Sequence, residues 1–402
     1  MSRTPGVLGA ARTSLALLLA ATAPLAVGAV SPAAADASYA VPSDGVLRLT
    51  GHGYGHGHGM SQYGARGAAQ AGLTQAQIMS FYYPVTSAGT VRGNIWVRIT
   101  ADTDGVLTVA PASGLQVRQV GGPAYSLPTT VGSQRPTSWR LRTSGDRNVL
   151  EFYAGGAWRA HRPGSVPMTG AAAFFRDSGP TTLRLGSVER PYRGALRYVQ
   201  RATVNVVGMD DFVRGVVARE MPATWEPAAV QSQAVAARTY AAFERAANTG
   251  RAWQTCDTTS CQVYGGVAAE HPAADAAVRA TARQVRTYGG APAFTQFSSS
   301  SGGWTKAGSR PYLVAKADRY DATSSNPNHT WRTTLRRSTV QASYPALGTL
   351  RAVRVTQRDG NGDQGGRVTS VVLDGSKTDV TLSGTAFRSR FGLKSDWFRF
   401  GG

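Results

Sequence analysis

The residues best placed to do chemistry lie between positions 210 and 240. Asp210 and Asp211 precede an apolar set of Phe212, Val216 and Val217, and Glu220 is followed at once by Met221 and Pro222. An aspartate caps a helix start well, and a proline disfavours helical backbone at the residue before it, so a short helix is expected to stop at about Glu220. Pro227 then suits the first turn of a second helix, which reads through Val230, Ala234, Ala237 and Ala241 and carries Arg238 and Tyr240 in its later turns. Glu220 falls in the corner between the two. There the negative end of the helix dipole, with desolvation by Met221, Pro222 and Trp225, favours the protonated carboxyl. An acid that holds its proton near neutrality suits general-acid cleavage of a glycosidic bond. On local pattern alone an exposed Glu at a fraying helix end fits better.

A second group of candidates lies in Gly51-His52-Gly53-Tyr54-Gly55-His56-Gly57-His58-Gly59-Met60-Ser61-Gln62-Tyr63-Gly64-Ala65, which holds half of the six histidines. If this segment is extended, His52, His56 and His58 share one side, able to bind a metal, hold substrate or move protons. No nearby carboxylate or thiol completes a ligand set, so a packed, hydrogen-bonded loop beside the site is the expectation, with no cofactor. Serines 298–301, with Gly302, Gly303 and Trp304, invite a nucleophile reading but lack a G-x-S-x-G elbow. Polar donors beside Trp304 suit a glycan groove better. Cys256 and Cys261 are the only cysteines, and in an exported chain so close a pair is expected to form a disulfide.

These candidates need elements to position them. Short alternating runs at 95–99, 107–109, 149–153, 183–185 and 204–207, separated by Pro, Gly, Ser and Thr, predict an antiparallel β-rich region without a catalytic constellation of its own. Residues 66–80 predict a helix ending before Phe81-Tyr82-Tyr83-Pro84. Runs at 353–356, 368–373 and 380–382 predict further strands, with a short helix around 384–391. The expected class is α+β: β-rich, with short helices packed around an active-site cleft. The expected division is a leader at 1–37, the Gly/His segment and helix at 38–90, a β-rich region at 91–190 and a catalytic domain at 191–402.

Tyr192-Arg193-Gly194, Val204-Asn205-Val206-Val207, Gly215-Val216-Val217, Glu220-Met221-Pro222, Gln233-Ala234 and Ala237-Arg238-Thr239-Tyr240 together resemble the signature of the SpoIID/LytB family. The resemblance continues through Cys261-Gln262-Val263-Tyr264-Gly265-Gly266, Ser299 to Gly303 with Thr305, and Gly392-Leu393-Lys394-Ser395 with Trp397-Phe398. It implies a bacterial wall protein, either a lytic transglycosylase of peptidoglycan glycan strands or an amidase enhancer. It further implies that Glu220 is the catalytic acid and that Arg238 contributes to activity, facing the same cleft as a bidentate sugar or carboxylate ligand. A surface Arg pairing with Glu244 is the other reading of that position. His56, His58, Gln62, Tyr63, Tyr240, Ser300, Ser301 and Trp304 are the expected substrate-binding residues. Some members bind zinc through thiols in the cysteine region, where His271 is the available third ligand; a zinc-dependent hydrolase built on the histidine block is the weakest reading.

An ordinary glycosidase needs two carboxylates, and none but Asp210, Asp211 and Glu226 is near Glu220 in sequence. A lytic transglycosylase, as the resemblance implies, works with one. The family's Gly-His-Gly-x-Gly-Met-Ser-Gln-Tyr-Gly-Ala segment normally follows the last strand, whereas here it comes first. A circular permutation would explain this and place residues 47–50 beside 394–400.

The start of the chain bears on location. Arg3 and Arg12 precede an apolar run at 15–27 and small residues ending in Ala35-Asp36-Ala37, which reads as a secretory signal peptide cleaved after Ala37. No other stretch approaches a membrane span. The expectation is therefore an exported wall protein with no transmembrane segment. The formal charge of +20, nearly all from Arg, favours anionic wall polymers over nucleic acid for an exported chain. Glycan strands and a wall amidase are the other expected partners.

Overall fold

Strand 94–98 alternates cleanly: Ile95 and Val97 are buried while Asn94 and Arg98 face water. That alternation recurs across a computed structural model that describes residues 37–164 and 168–401. It builds two antiparallel layers, because each strand must bury one face. A seven-stranded sheet runs in the order Thr255–Cys256, Asn94–Arg98, Ala202–Gly208, Ala195–Val199, Ala172–Phe175, Gln116–Gln119 and Ala124–Ser126, with only the Thr255–Cys256 pairing parallel. A six-stranded sheet runs Ala157–His161, Arg147–Ala154, Ser138–Ser144, Leu107–Val109, Thr181–Leu185 and Val188–Tyr192. Trp139, Leu141, Phe152, Phe174, Leu183 and Leu196 fill one shared core. All the strands expected between 95 and 207 are present.

The helices add their apolar faces to that core and to a neighbouring one. Helix α1 is Gln62–Gln70, α2 is Gln75–Tyr82, α3 is Met209–Glu220, α4 is Pro227–Ala247 and α5 is Pro272–Ala280. Phe212, Val216, Val230 and Ala234 close the sheet core. On the other side of α4, Val235 and Ala236 pack with Met60, Ala65, Ile78 and Met79 of a second cluster. Helix α4 is thus buried on two sides, as a helix between two packed layers must be.

The single helix expected at 66–80 is two. Gly72 adopts φ +85° and Thr74 opens α2 with a reciprocal capping box to Gln77, so the Thr-x-x-Gln spacing stops one helix and starts another. Helix α3 also begins differently from expectation. Gly208 is its N-cap with no side-chain cap, and Asp210 and Asp211 lie inside the first turn, where the positive dipole end favours them.

A third cluster brings the two ends of the described chain together. Strand Val46–His52 pairs antiparallel with Thr330–Arg336 on one side and Phe398–Phe400 on the other, with Leu49 opposite Phe400 and Gly51 opposite Phe398. The expected adjacency of 47–50 and 394–400 is therefore present. Leu47, Leu49, Val353, Val371, Phe387 and Phe398 form its core, above a sheet of Ala37–Ala40, Leu350–Arg358, Val368–Gly375 and Val380–Ser383. The fold is mixed α and β and rich in strand. The leader expectation lies outside the described residues except for Ala37, which opens a strand paired to Val355. No described helix is long and apolar enough to cross a membrane.

Candidate functional site

Glu220 is the last residue of α3, and Met221 beyond it is extended, as the following proline requires. Its carboxylate oxygen Oε1 accepts a hydrogen bond from the Val263 backbone N–H at 3.1 Å, and its carbonyl accepts from Gln62 Nε2 at 2.9 Å. Burial raises the Glu220 pKa above the usual carboxylate range, partly offset by the Val263 bond and by Arg219. Of the residues expected to desolvate it, Met221 is buried. Pro222 is exposed, and the Trp225 ring packs on Tyr63 at 4.8 Å beneath the Arg66 guanidinium.

Beside Glu220 opens a cavity of about 470 Å³. Its walls come from parts of the sequence far apart: Tyr54 to His56, Gln62 of α1, Tyr240 of α4, the cysteine loop from Thr259 to Val263, and Gln296 to Ser299. Among the described residues that line it, Glu220 is the only carboxylate and there is no Lys or Arg. The three nearby acids are engaged elsewhere. Asp210 pairs with Arg238 at 2.6 Å, Asp211 with Arg214 at 3.4 Å, and Glu226 with Arg66 at 3.2 Å.

The Gly/His segment reaches this cavity folded rather than extended. Gly53, Gly55, Gly57 and Gly59 all have positive φ, which turns the backbone at every second residue. His52 is consequently separated from the other two, with its ring 4.9 Å from Trp397 and 6.1 Å from His329. His56 stacks on His58 at 5.2 Å and its Nδ1 accepts the His58 backbone N–H at 3.0 Å. Burial, followed by His58 and Arg388, pulls the His56 pKa down to about 3, so the ring is neutral with its proton on Nε2. It offers the cavity a hydrogen-bond donor and no charge. A Cβ on Gly59 would stand 2.1 Å from the Gln296 carbonyl oxygen at φ +67°. Gly59→Ala is therefore expected to destabilise the fold by about 1 to 3 kcal/mol, read as a lowered unfolding midpoint in denaturant.

Several expected ligands are committed inside the protein. Arg238 is fully buried: Nε donates to Asp210 at 2.6 Å, and its Nη atoms reach the carbonyls of Ala234, Val278 and Gln284 at 3.2–3.4 Å. It faces neither the cavity nor Glu244, whose carboxylate accepts from Thr255 Oγ1. Ser300 and Ser301 are 1% exposed and donate to Asp321 and Asp318, both at 2.8 Å. Ser298 and Ser299 line the cavity in their place. His58 Nδ1 lies 3.2 Å from the Lys306 carbonyl, Tyr63 packs on Trp225, and Trp304 bridges to Ala317, all outside the lining. His56, Gln62 and Tyr240 do line it. Among the lining residues that sequence reasoning missed are Tyr54, Gln262, Val263, Gln296, Ser298 and Ser299. Val263 acts through its backbone N–H, which has no side-chain signature.

Cys256 and Cys261 are joined as a disulfide, and His271 caps α5 by accepting the Ala273 N–H at 3.2 Å. The thiols and imidazole read as a zinc set thus have other partners. Among the described residues no three His, Cys, Asp or Glu side chains gather as a metal site. The disulfide closes the loop that leads into Val263. Cys256→Ser with Cys261→Ser is expected to lower stability by about 2 kcal/mol in thermal unfolding, the entropy of so short a loop.

Residues 198–288, which carry Glu220, α4 and the cysteine loop, match the SpoIID family model, described as stage II sporulation protein. The chain is similar to the amidase enhancer of Bacillus subtilis (strain 168), 36% identical over 129 residues, which is 31% of this chain and 17% of that protein. An uncharacterized protein of Brachyspira hyodysenteriae is 33% identical over 129 residues, 31% of this chain and 35% of that protein. Stage II sporulation protein D of Bacillus subtilis (strain 168) is 27% identical over 248 residues, 56% of this chain and 68% of the relative. The match spans about a sixth and about a third of the first two relatives.

Proposed function

We propose, for a chain that belongs to the SpoIID family through its 198–288 domain, that it cleaves peptidoglycan glycan strands by lytic transglycosylation. The observation that carries this reading is the lone carboxylate: Glu220 lines the cavity without a second acid to activate water or attack the sugar. With Oε1 held by the Val263 N–H, the protonated carboxyl gives its proton to the glycosidic oxygen as the C1–O bond breaks. The resulting carboxylate then takes the proton of the muramic acid C6 hydroxyl, whose oxygen closes on C1. The product is an anhydro-muramic end, no water is consumed, and Glu220 regains its proton. Neutral His56, Gln62 and Tyr240 supply hydrogen bonds suited to amide and hydroxyl groups of an N-acetylated sugar.

The raised pKa sets a pH dependence. The acid form is required for bond cleavage, so activity is expected to fall as pH rises through the Glu220 pKa, which lies above the ordinary glutamate value. A pH profile of kcat/KM checks this, and a falling limb at the ordinary glutamate pKa would count against it.

The deciding experiment is mass spectrometry of glycan strands, with and without stem peptides, after incubation with the protein. Anhydro-muramic products are expected. Reducing-end products, one water heavier, would mean hydrolysis and a second catalytic group. Strands bound but uncut would favour the other reading, a module that assists a wall amidase, which the similarity to an amidase enhancer supports. We place the protein outside the cell, in the wall, where a formal charge of +20 also suits contact with anionic polymers.

A further inference from the structure

The outer face of the six-stranded sheet carries a depression of about 630 Å³ that shares no lining residue with the Glu220 cavity. Strand alternation creates it. On Ser138–Ser144 the side chains of Trp139 and Leu141 enter the core, so Ser138 and Arg140 point outward; on Arg147–Ala154 the buried Leu150, Phe152 and Ala154 leave Glu151 and Tyr153 outward. Register then places Tyr153 opposite both Ser138 and Trp158, and Glu151 opposite Arg140. The Tyr153 and Trp158 rings lie 5.2 Å apart, and the Arg140 guanidinium sits 3.9 Å over the indole with its Nε on Glu151 at 2.6 Å. The terminal nitrogens of Arg140 have no hydrogen-bond partner among the described residues. Arg184, from strand Thr181–Leu185 on the far side of Leu107–Val109, donates to Ser138 Oγ and pairs with Glu189 through Nε at 2.9 Å.

Two properties select the ligand. The lining contains Arg140 and Arg184 against Asp104 and Glu189, so the depression is charge-balanced in a chain with 43 Lys and Arg to 23 Asp and Glu. A polyanion would go to the basic surface elsewhere, and no net charge draws it here. The centre of a protein interface is depleted in charged residues, whereas fixed Arg–carboxylate pairs form the floor here. Aromatic rings that accept the C–H face of a ring, flanked by oriented donors and acceptors for hydroxyl and amide groups, match an uncharged saccharide.

We propose that this face is a second glycan-binding site, which holds an uncharged saccharide chain through Tyr153, Trp158, Arg140 and Arg184. It does not depend on the chemistry assigned to Glu220. The probe is chitohexaose, titrated calorimetrically into the full chain, with hydrogen exchange to locate the protected strands. Trp158→Ala is expected to weaken binding about tenfold, roughly the 1.4 kcal/mol that one stacked ring supplies. Arg184→Gln is expected to weaken it severalfold, and protection should cover strands 138–161 and 181–192. Because Trp158→Ala also removes a cross-strand pair, Arg184→Gln decides the matter should the former fail to fold. Unchanged affinity in a folded variant, protection confined to the Glu220 cavity, or a preference for polyglutamate over chitohexaose would each overturn the proposal. Strand cleavage is scored separately, so its failure and the failure of this binding site are told apart.

Discussion

Glu220→Gln is expected to lower glycan-strand cleavage by about 10²- to 10⁴-fold, the range for loss of a positioned general acid. The substitution keeps the shape of the side chain and its capacity to accept the Val263 N–H, now 3.1 Å from Oε1, so the cavity should remain formed. What is lost is the proton, which an amide cannot deliver to a leaving oxygen. Linkage supplies the control on folding. A carboxyl whose folded-state pKa is raised lends its stabilisation fully below the unfolded pKa and loses it as pH rises through the folded one. Above the ordinary glutamate pKa a carboxyl raised in this way opposes folding, and Gln, which cannot ionise, should leave the unfolding midpoint equal or higher. Anhydro-product release followed by mass spectrometry, together with thermal unfolding at pH 7, tests both halves. An inactive variant with a lowered midpoint would point to damage rather than to loss of the acid, and a fully active one would remove Glu220 from the reaction.

The corner that carries Glu220 was legible because its signals are local. Two prolines five residues apart and an i, i+4 apolar series fix where α3 stops and α4 starts, whatever the rest of the chain does. The five strands expected between 95 and 207 were legible for the same reason, whereas others between them, such as Ser138–Ser144 and Ala195–Val199, were not singled out. The Gly/His segment was not, because alternating glycine reads as extended only while φ stays negative, and close packing imposes the opposite. A Cβ on Gly57 would meet the Arg367 guanidinium at 2.4 Å, a neighbour more than three hundred residues away. Ser300 and Ser301 were misread for a similar reason. Their partners Asp318 and Asp321 lie in a loop whose approach no periodicity announces, and Asp321 alone also holds Ser61 and the Gly302 N–H. The resemblance pointed to Glu220 as the acid; it could not say which side chains reach the cavity, since lining is a property of the assembled walls.

Arg238→Ala is expected to cost about 3 to 5 kcal/mol, the range for truncating a large, fully buried side chain. Arg238 is 0% exposed and joins four elements: Asp210 at the start of α3, its own helix α4, the Val278 carbonyl near the end of α5 and the Gln284 carbonyl at the start of a strand. Alanine would take the guanidinium donors away from those carbonyls and leave a cavity where the guanidinium lay. Asp210 is 37% exposed in its side chain and can rehydrate, so Asp210→Asn is expected to cost only about 1 kcal/mol. Arg238→Lys should fall between the two, since an ammonium cannot replace a planar fork that serves several acceptors at once. Denaturant unfolding of the three variants orders these losses. Cleavage per folded molecule should stay near wild type in Asp210→Asn, because the pair positions the helices and does not touch substrate. If Arg238→Ala kept the wild-type midpoint while losing activity, Arg238 would have to reach the substrate in a conformation other than the buried one, and the role implied by the resemblance would be direct after all.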